Sequence, residues 1–190
     1  MTFAEELRDS LVRLIDLLET RQVPYVLMGG IVVSICGVPR ATYDLDVTLN
    51  ADRAKVEAFL KVAVEAGFTV DPPFERGFRD VLSGMEKLRL EWWTSGSRRI
   101  EVDVFLVTTP YQKAAFERRV RARIDGREAW VLTPADLILH KLVAGRPKDR
   151  ADIQNLLMTQ GVPDPEHLRA WAQRLGVEAA LATALTEAGH

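Results

Sequence analysis

With 190 residues, 47% of them hydrophobic and 27% charged, the chain has room for one compact domain or one domain with a small helical appendage. Its formal net charge of −2 excludes a surface given over wholly to nucleic acid, while leaving space for a local basic patch. A single cysteine, Cys36, excludes an intrachain disulfide; acids at Glu5 and Glu6 and the lack of a long apolar run point to a reduced, cytoplasmic protein without membrane segments.

In chain order, Leu7, Leu11, Leu14, Ile15 and Leu18 recur at helical spacing and predict an amphipathic helix over 4–21. Gln22-Val23-Pro24 ends it, and Tyr25–Met28 is a short apolar run suited to a buried strand. Gly29-Gly30 then punctuates, with a short helix from Ile31 to Cys36 that stops at Gly37. Residues 44–49 alternate polar and apolar as a strand does, and 52–66 form a helix with Val56, Phe59, Leu60 and Ala63 along one side. Pro72-Pro73, Gly77 and Gly84 make 71–86 read as a long irregular loop, of a length often tied to function or mobility. Strands follow at Lys87–Trp93 and Arg99–Val107, then a hairpin over 119–132 with Asp125-Gly126 in its turn. Everything after Thr133 is helical in pattern, beginning with Thr133-Pro134-Ala135-Asp136: a cap residue, a proline and a first-turn acid. The fold class expected is α+β, a small twisted mixed β-sheet flanked by helices over 1–132, followed by a C-terminal helical subdomain over 133–190 packed on that core.

Asp44 and Asp46 lie two apart on a predicted strand, so both carboxylates leave one face, with α-carbons ~6.6 Å apart at a rise of ~3.3 Å per residue. Two such acids repel unless a cation compensates, and their hard oxygens favour Mg²⁺ completed by water and substrate phosphates. Asp103, between Val102 and Val104, is a third acid in a half-buried strand, costly to keep there unless paired or bound to metal. Ahead of them, Gly29-Gly30 precedes a short helix whose exposed backbone N–H groups and dipole can cradle phosphate.

Val26-Leu27-Met28-Gly29-Gly30, thirteen residues, then Asp44-Leu45-Asp46-Val47 resembles the signature of the DNA-polymerase-β-like nucleotidyltransferases, with Val102-Asp103-Val104 as the third acid. The second half resembles the bacterial AbiEii-toxin-like and small stand-alone branch: the Thr133-Pro134-Ala135-Asp136 start, Leu-Ile-x-x-Lys-x-x-Ala over 137–144, and the run from Arg146 to Ile153. The resemblance covers roughly 22–158 and implies that Gly29 and Gly30 bind an NTP triphosphate. It further implies that Asp44 and Asp46 hold two Mg²⁺ ions (Mn²⁺ as a substitute), and that Asp103 shares one ion and helps activate the acceptor hydroxyl. The chain departs from the pattern at Gly30, where many relatives carry serine, and its interval before Asp44 is at the long end.

Other candidates have two readings each. In the resembling branch Lys141 reaches nucleotide phosphates, Arg40 lies near phosphate and Thr42 supports the loop; otherwise these are a solvated helix-face lysine and plain loop residues. Asp149 favours the dipole of a helix begun by Pro147, or joins the site. Asp152 joins the site or pairs with Arg146, Lys148 or Arg150. Glu101 assists Asp103 or pairs with Arg99. The segment 113–127 holds six basic residues against two acids, with Arg119, Arg121 and Arg123 along one hairpin face and Arg121 opposite Trp130. That stripe suits the phosphates of a tRNA or other RNA acceptor, or is a solvated strand face. His140, His167 and His190 lack zinc spacing, and Cys36 is expected to pack. The expected function is metal-dependent transfer of NMP from an NTP to RNA, protein or a small molecule. The setting expected is toxin–antitoxin or phage defence, with a cognate antitoxin or toxin as partner. The alternative is a catalytically silent nucleotide-binding member of such a pair.

Overall fold

Thr2 and Glu5 form a reciprocal capping box that opens helix α1 (Phe3–Thr20) in the computed structural model, which describes residues 2–71, 78–79 and 86–190. Strand β1 (Tyr25–Met28) follows, then helix α2 (Gly29–Cys36), which starts on the glycines themselves rather than at Ile31. Next come β2 (Asp44–Leu49), α3 (Arg53–Glu65), capped by the Asp52 carboxylate, and the two-residue strands β3 (Thr69–Val70) and β4 (Phe78–Arg79). Strands β5 (Glu86–Trp93) and β6 (Arg99–Leu106) form a hairpin, and the α4 helix (Pro110–Glu117) leads into a second hairpin, β7 (Val120–Ile124) and β8 (Arg127–Val131). Four helices complete the chain: α5 (Pro134–Ala144), α6 (Pro147–Gln160), α7 (Pro165–Leu175) and α8 (Glu178–Glu187).

The mixed sheet runs β3-β5-β6-β2-β1-β8-β7, with β4 also pairing β5. Within it β2 and β6 are parallel, as are β1 and β8, and the other pairs are antiparallel. Asp125 and Gly126 both have positive φ (46° and 81°), the left-handed pair a two-residue hairpin turn requires, and the turn sets Arg121 opposite Trp130 as expected. Alternation gives the central strands one apolar face, with Leu45, Val47, Leu49, Val102 and Val104 at 1% exposure or less. Helix α1 spans the sheet: Glu6 meets Arg98 at 3.0 Å by the β5–β6 turn, while Asp16 meets Arg127 at 2.7 Å by the β7–β8 turn. Leu137, Ile138 and Leu139 of α5 are fully buried in the same apolar cluster, each contributing about 1.5–3 kcal/mol.

Two expectations change. The 71–86 segment expected to be a loop contains β4, which pairs with Glu86 and Lys87; the remainder of that expectation, 72–77 and 80–85, lies outside the described residues. Helix α4, unforeseen, carries a plain signal: Thr109 caps it, Pro110 opens it, and Gln112 closes a capping box.

Candidate active site

Because β2 and β6 run parallel in register, Asp46 stands opposite Asp103, and Asp44 opposite Glu101. Across the sheet this makes a row of Arg89, Asp103, Asp46 and Met28, all on the face opposite the valines. The three acids are neutralised unequally. Asp103 is 8% exposed and takes bonds from Lys87 Nζ (3.2 Å) and from Arg89 Nε and Nη2 (2.8 and 3.3 Å); Arg89 also meets Glu101 at 2.8 Å. Asp44 accepts from the Thr42 hydroxyl at 3.1 Å. Asp46 is half-buried and lines the cleft. Burial, then Asp44, then Asp103 push its carboxyl up to about 7, against a smaller opposing pull from Lys141 and Arg146.

The glycines fit closely over these acids. Gly29 has φ +70°, and a Cβ there would collide with the Asp46 carboxylate. A Cβ at Gly30 would lie 2.5 Å from Thr42 Oγ1 and 3.1 Å from Arg40 Nη2. Where relatives are expected to place a serine, this chain fills the space with the Thr42 hydroxyl.

A cationic cluster forms the opposite wall. Gly145, left-handed at φ 63°, ends α5 two residues before Pro147 opens α6, and this tight corner folds the two helices together. Lys141, 4% exposed, bonds Asp149 at 3.2 Å and Asp152 at 2.6 Å. Asp152 also receives Arg40 through Nε and Nη2 (2.6 and 2.8 Å), and Asp149 receives Arg146 Nε at 2.7 Å. Among the described residues, two buried carboxylates therefore gather three cations along this wall. A buried ion network of this kind is often less stabilising than apolar packing, so its placement of charge is its distinctive product. Gly29, Gly30, Arg40, Asp44, Asp46, Asp103, Lys141 and Arg146 all line one cleft, with Lys87, Phe105 and His140.

Of the residues singled out in the sequence, Lys141 is buried and ion-paired rather than a solvated helix-face lysine. Asp152 pairs with Arg40 and Lys141 instead of Arg146, Lys148 or Arg150; Arg150 meets Glu187. Glu101 pairs with Arg99 at 2.8 Å as well as with Arg89. Cys36 is half-buried, and His167 bonds Asp136 at 2.7 Å. The basic stripe is largely committed inside the molecule. Arg119 precedes β7 and packs over Phe116 and Trp130, and Arg121 stacks on Trp130 while meeting Glu19 at 2.6 Å; Arg123 is exposed. Lys87, Arg89, Arg146 and His140 were not foreseen. Lys87 and Arg89 share parity on a strand before Asp103, but only the hairpin register shows that they face it.

Hard oxygen donors at Asp44 and Asp46, crowded enough to raise a carboxyl to about 7, suit a divalent cation such as Mg²⁺. Among the described residues no three acid, histidine or cysteine side chains already converge at ligand spacing, since Asp103 is drawn toward Lys87 and Arg89.

A family model described as nucleotidyltransferase of unknown function (DUF6036) matches residues 6–175. No curated protein sequence matches the chain. Among solved structures, an antigenic nucleotidyltransferase-like protein from Paracoccidioides brasiliensis is similar at TM-score 0.59 and 19% identity, over 96% of this chain and 93% of that one. The structure of ANT(2'')-Ia in complex with adenylyl-2''-tobramycin is similar at TM-score 0.56 and 16% identity, over 88% and 97%. Lincosamide antibiotic adenylyltransferase LnuA, bound to lincomycin, is similar at TM-score 0.50 and 14% identity, over 82% and 97%. At these identities the likeness is one of fold. Among the described residues no helix is long and apolar enough to cross a membrane.

Proposed function

Since the chain belongs to the nucleotidyltransferase family DUF6036, we propose that it moves NMP from an NTP to the hydroxyl of a small-molecule acceptor in a metal-dependent reaction. The observation that carries this reading is the juxtaposition, in one cleft, of a crowded acid pair on β2 and the cations Arg40, Lys141 and Arg146 gathered around Asp149 and Asp152. Asp44 and Asp46 would hold Mg²⁺ or Mn²⁺, with Asp103 within the same row, and the bound ions would offset charge on the α-phosphate and the departing pyrophosphate. Gly29 and Gly30 present helix N–H groups without a Cβ to hold phosphate away. Arg40, Lys141 and Arg146 receive the β- and γ-phosphates, aimed by Asp149 and Asp152 as positioning residues.

In the transfer, the acceptor oxygen forms a bond to the α-phosphorus while the bond from that phosphorus to the bridging oxygen breaks. Pyrophosphate leaves with the electron pair, and the hydroxyl proton passes to Asp103, whose orientation Lys87 and Arg89 fix. A small-molecule acceptor is favoured over RNA by the internal engagement of Arg119 and Arg121. The structural neighbours bound to lincomycin and to an adenylylated tobramycin lend the same support.

The test is incubation with each α-labelled NTP, cell extract, and either Mg²⁺ or EDTA. Label should enter an acceptor only with the metal, and Asp44→Ala or Asp46→Ala should lower transfer by on the order of a thousandfold or more. Near-wild-type transfer by either variant would sink the reading. Calorimetry showing no metal-dependent nucleotide binding would favour the silent interaction protein instead.

A further inference from the structure

The row of charged side chains continues past the acids. From Asp46 the register runs one way to Met28 on β1, and the other way to Asp103 on β6 and Arg89 on β5. The phosphate cradle lies on the β1 side, because Gly29 follows Met28 and a Cβ there would meet the Asp46 carboxylate. An acceptor attacking in line with the leaving group comes from the other side of the acids, over β6 and β5.

That side carries a ladder of its own. Asp44 stands opposite Glu101 and Glu101 opposite Glu91, while two residues along Arg99 stands opposite Trp93. Parity puts all of them on the acid face; Trp92, of the opposite parity, packs on the other face against Phe68 and Arg13. Arg99 bonds Glu91 at 2.9 Å and Glu101 at 2.8 Å, and Arg89 bonds Glu101 at 2.8 Å. These two acids and two arginines answer one another, so they offer neither a polycation nor a polyanion a counter-charge. They are nevertheless accessible, with the Arg99 side chain 47% and Glu101 28% exposed. A guanidinium has five N–H donors, more than these bonds use.

Trp93 completes the surface, 54% exposed beside Arg99. Paired charges that still present donors and acceptors suit hydroxyl groups, which are both, and an exposed indole suits the apolar face of a ring. A sugar ring combines the two. With strands ~4.8 Å apart and a rise of ~3.3 Å per residue, Trp93 lies ~12 Å from Asp44 between α-carbons, further than one sugar ring spans.

We propose that the β5–β6 half of the acid face is the acceptor subsite, and that it takes an uncharged, polyhydroxylated glycoside. One ring presents the reactive hydroxyl to the acids, and the next lies on Trp93 with its hydroxyls on Arg99 and Glu101. The inference rests on the nucleotidyl-transfer reading above and names the substrate class that reading leaves open.

The experiment titrates maltose, lactose and trehalose, and separately tobramycin, into the full chain. The Trp93 indole N–H is followed by NMR and Mg·ATP binding by calorimetry. At least one disaccharide should move the Trp93 signal without displacing Mg·ATP, and tobramycin should leave that signal in place. Trp93→Ala and Arg99→Ala should each weaken the disaccharide by about tenfold or more, and Trp93→Tyr should keep most of its affinity. Mg·ATP binding should stay as in the parent throughout, which also reports that each variant is folded. Competition between disaccharide and Mg·ATP, or loss of Mg·ATP affinity in Trp93→Ala, would assign this face to the nucleotide. Movement of the Trp93 signal by tobramycin would show that the face takes a polycation. No disaccharide binding to a parent that binds Mg·ATP would leave the ladder as a brace of the β5–β6 hairpin. Each of these outcomes overturns the proposal, whereas failure of the parent to bind Mg·ATP at all would overturn the nucleotidyl-transfer reading beneath it.

Discussion

Gly29 shows how one backbone angle can decide a site. An alanine there carries about 1–2 kcal/mol of left-handed strain and drives its methyl into the Asp46 carboxylate, so Gly29→Ala should lower the melting temperature and abolish Mg·ATP binding together. Calorimetry on the folded variant at low temperature checks the second effect apart from the first. Asp46 and His140 meanwhile titrate in opposite senses. Asp46 is raised from 3.8 to about 7, so in the metal-free protein its stabilisation is full below pH 3.8 and lost as pH rises through 7. His140 is lowered from 6.5 to about 4 by burial first and by Lys141 next, so its stabilisation is full above pH 6.5 and lost as pH falls through 4. Between those values the two slopes, each up to about 1.4 kcal/mol per pH unit, oppose one another. Relative to the parent in EDTA, Asp46→Asn should therefore gain stability with rising pH from about 4.5 to 6.5, and His140→Gln should lose it. Denaturant melts across that window read both slopes, and identical slopes in all three proteins would contradict the assignment.

The α5–α6 corner is where most of the cationic wall is made, and Asp152 is its hinge of charge. Asp152→Ala would leave Lys141 with Asp149 alone and release Arg40, so it should cost about 3 kcal/mol and raise KM for NTP more than it lowers kcat. Urea melts and steady-state kinetics separate these effects; a variant with unchanged KM would show that Arg40 is not a phosphate ligand. Much of this level was legible in the chain. The alternation at 44–49 and 99–106 gives both strands and the face of their acids, and Asp125-Gly126 gives the hairpin register. A site role for Lys141 was legible only through the family resemblance, since by spacing alone it reads equally as a solvated helix-face lysine. The pairing of Arg40 with Asp152 was not legible, because the two are 112 positions apart and meet only in the assembled fold. Helix α4 carries its start signal in Thr109-Pro110-Tyr111-Gln112, but its eight residues run straight into the basic strand and are too few to display a helical stripe.

At the scale of the whole molecule, the expected α+β fold and the nucleotidyltransferase superfamily resemblance hold, but the site belongs to no single segment. It draws Gly29, Gly30, Asp44 and Asp46 from the first third of the chain, Lys87, Arg89 and Asp103 from the middle, and Lys141, Asp149 and Asp152 from the helices beyond. A ligand that bridges acids on β2 to cations on α5 and α6 ties the first and last of these parts together, so it binds the folded chain and not the unfolded one. At a hundredfold excess over Kd such a ligand stabilises by about 2.7 kcal/mol, which for a chain of this size is a melting shift of about 5–11 °C. Mg·ATP should produce that shift in the parent and lose it in EDTA. Asp44→Asn/Asp46→Asn should show no Mg·ATP shift, yet melt without ligand at or above the parent's temperature, because two crowded carboxylates are gone. A double variant that still shifted with Mg·ATP would mean that the nucleotide is held by the cationic wall alone, and that the acids serve something other than the metal.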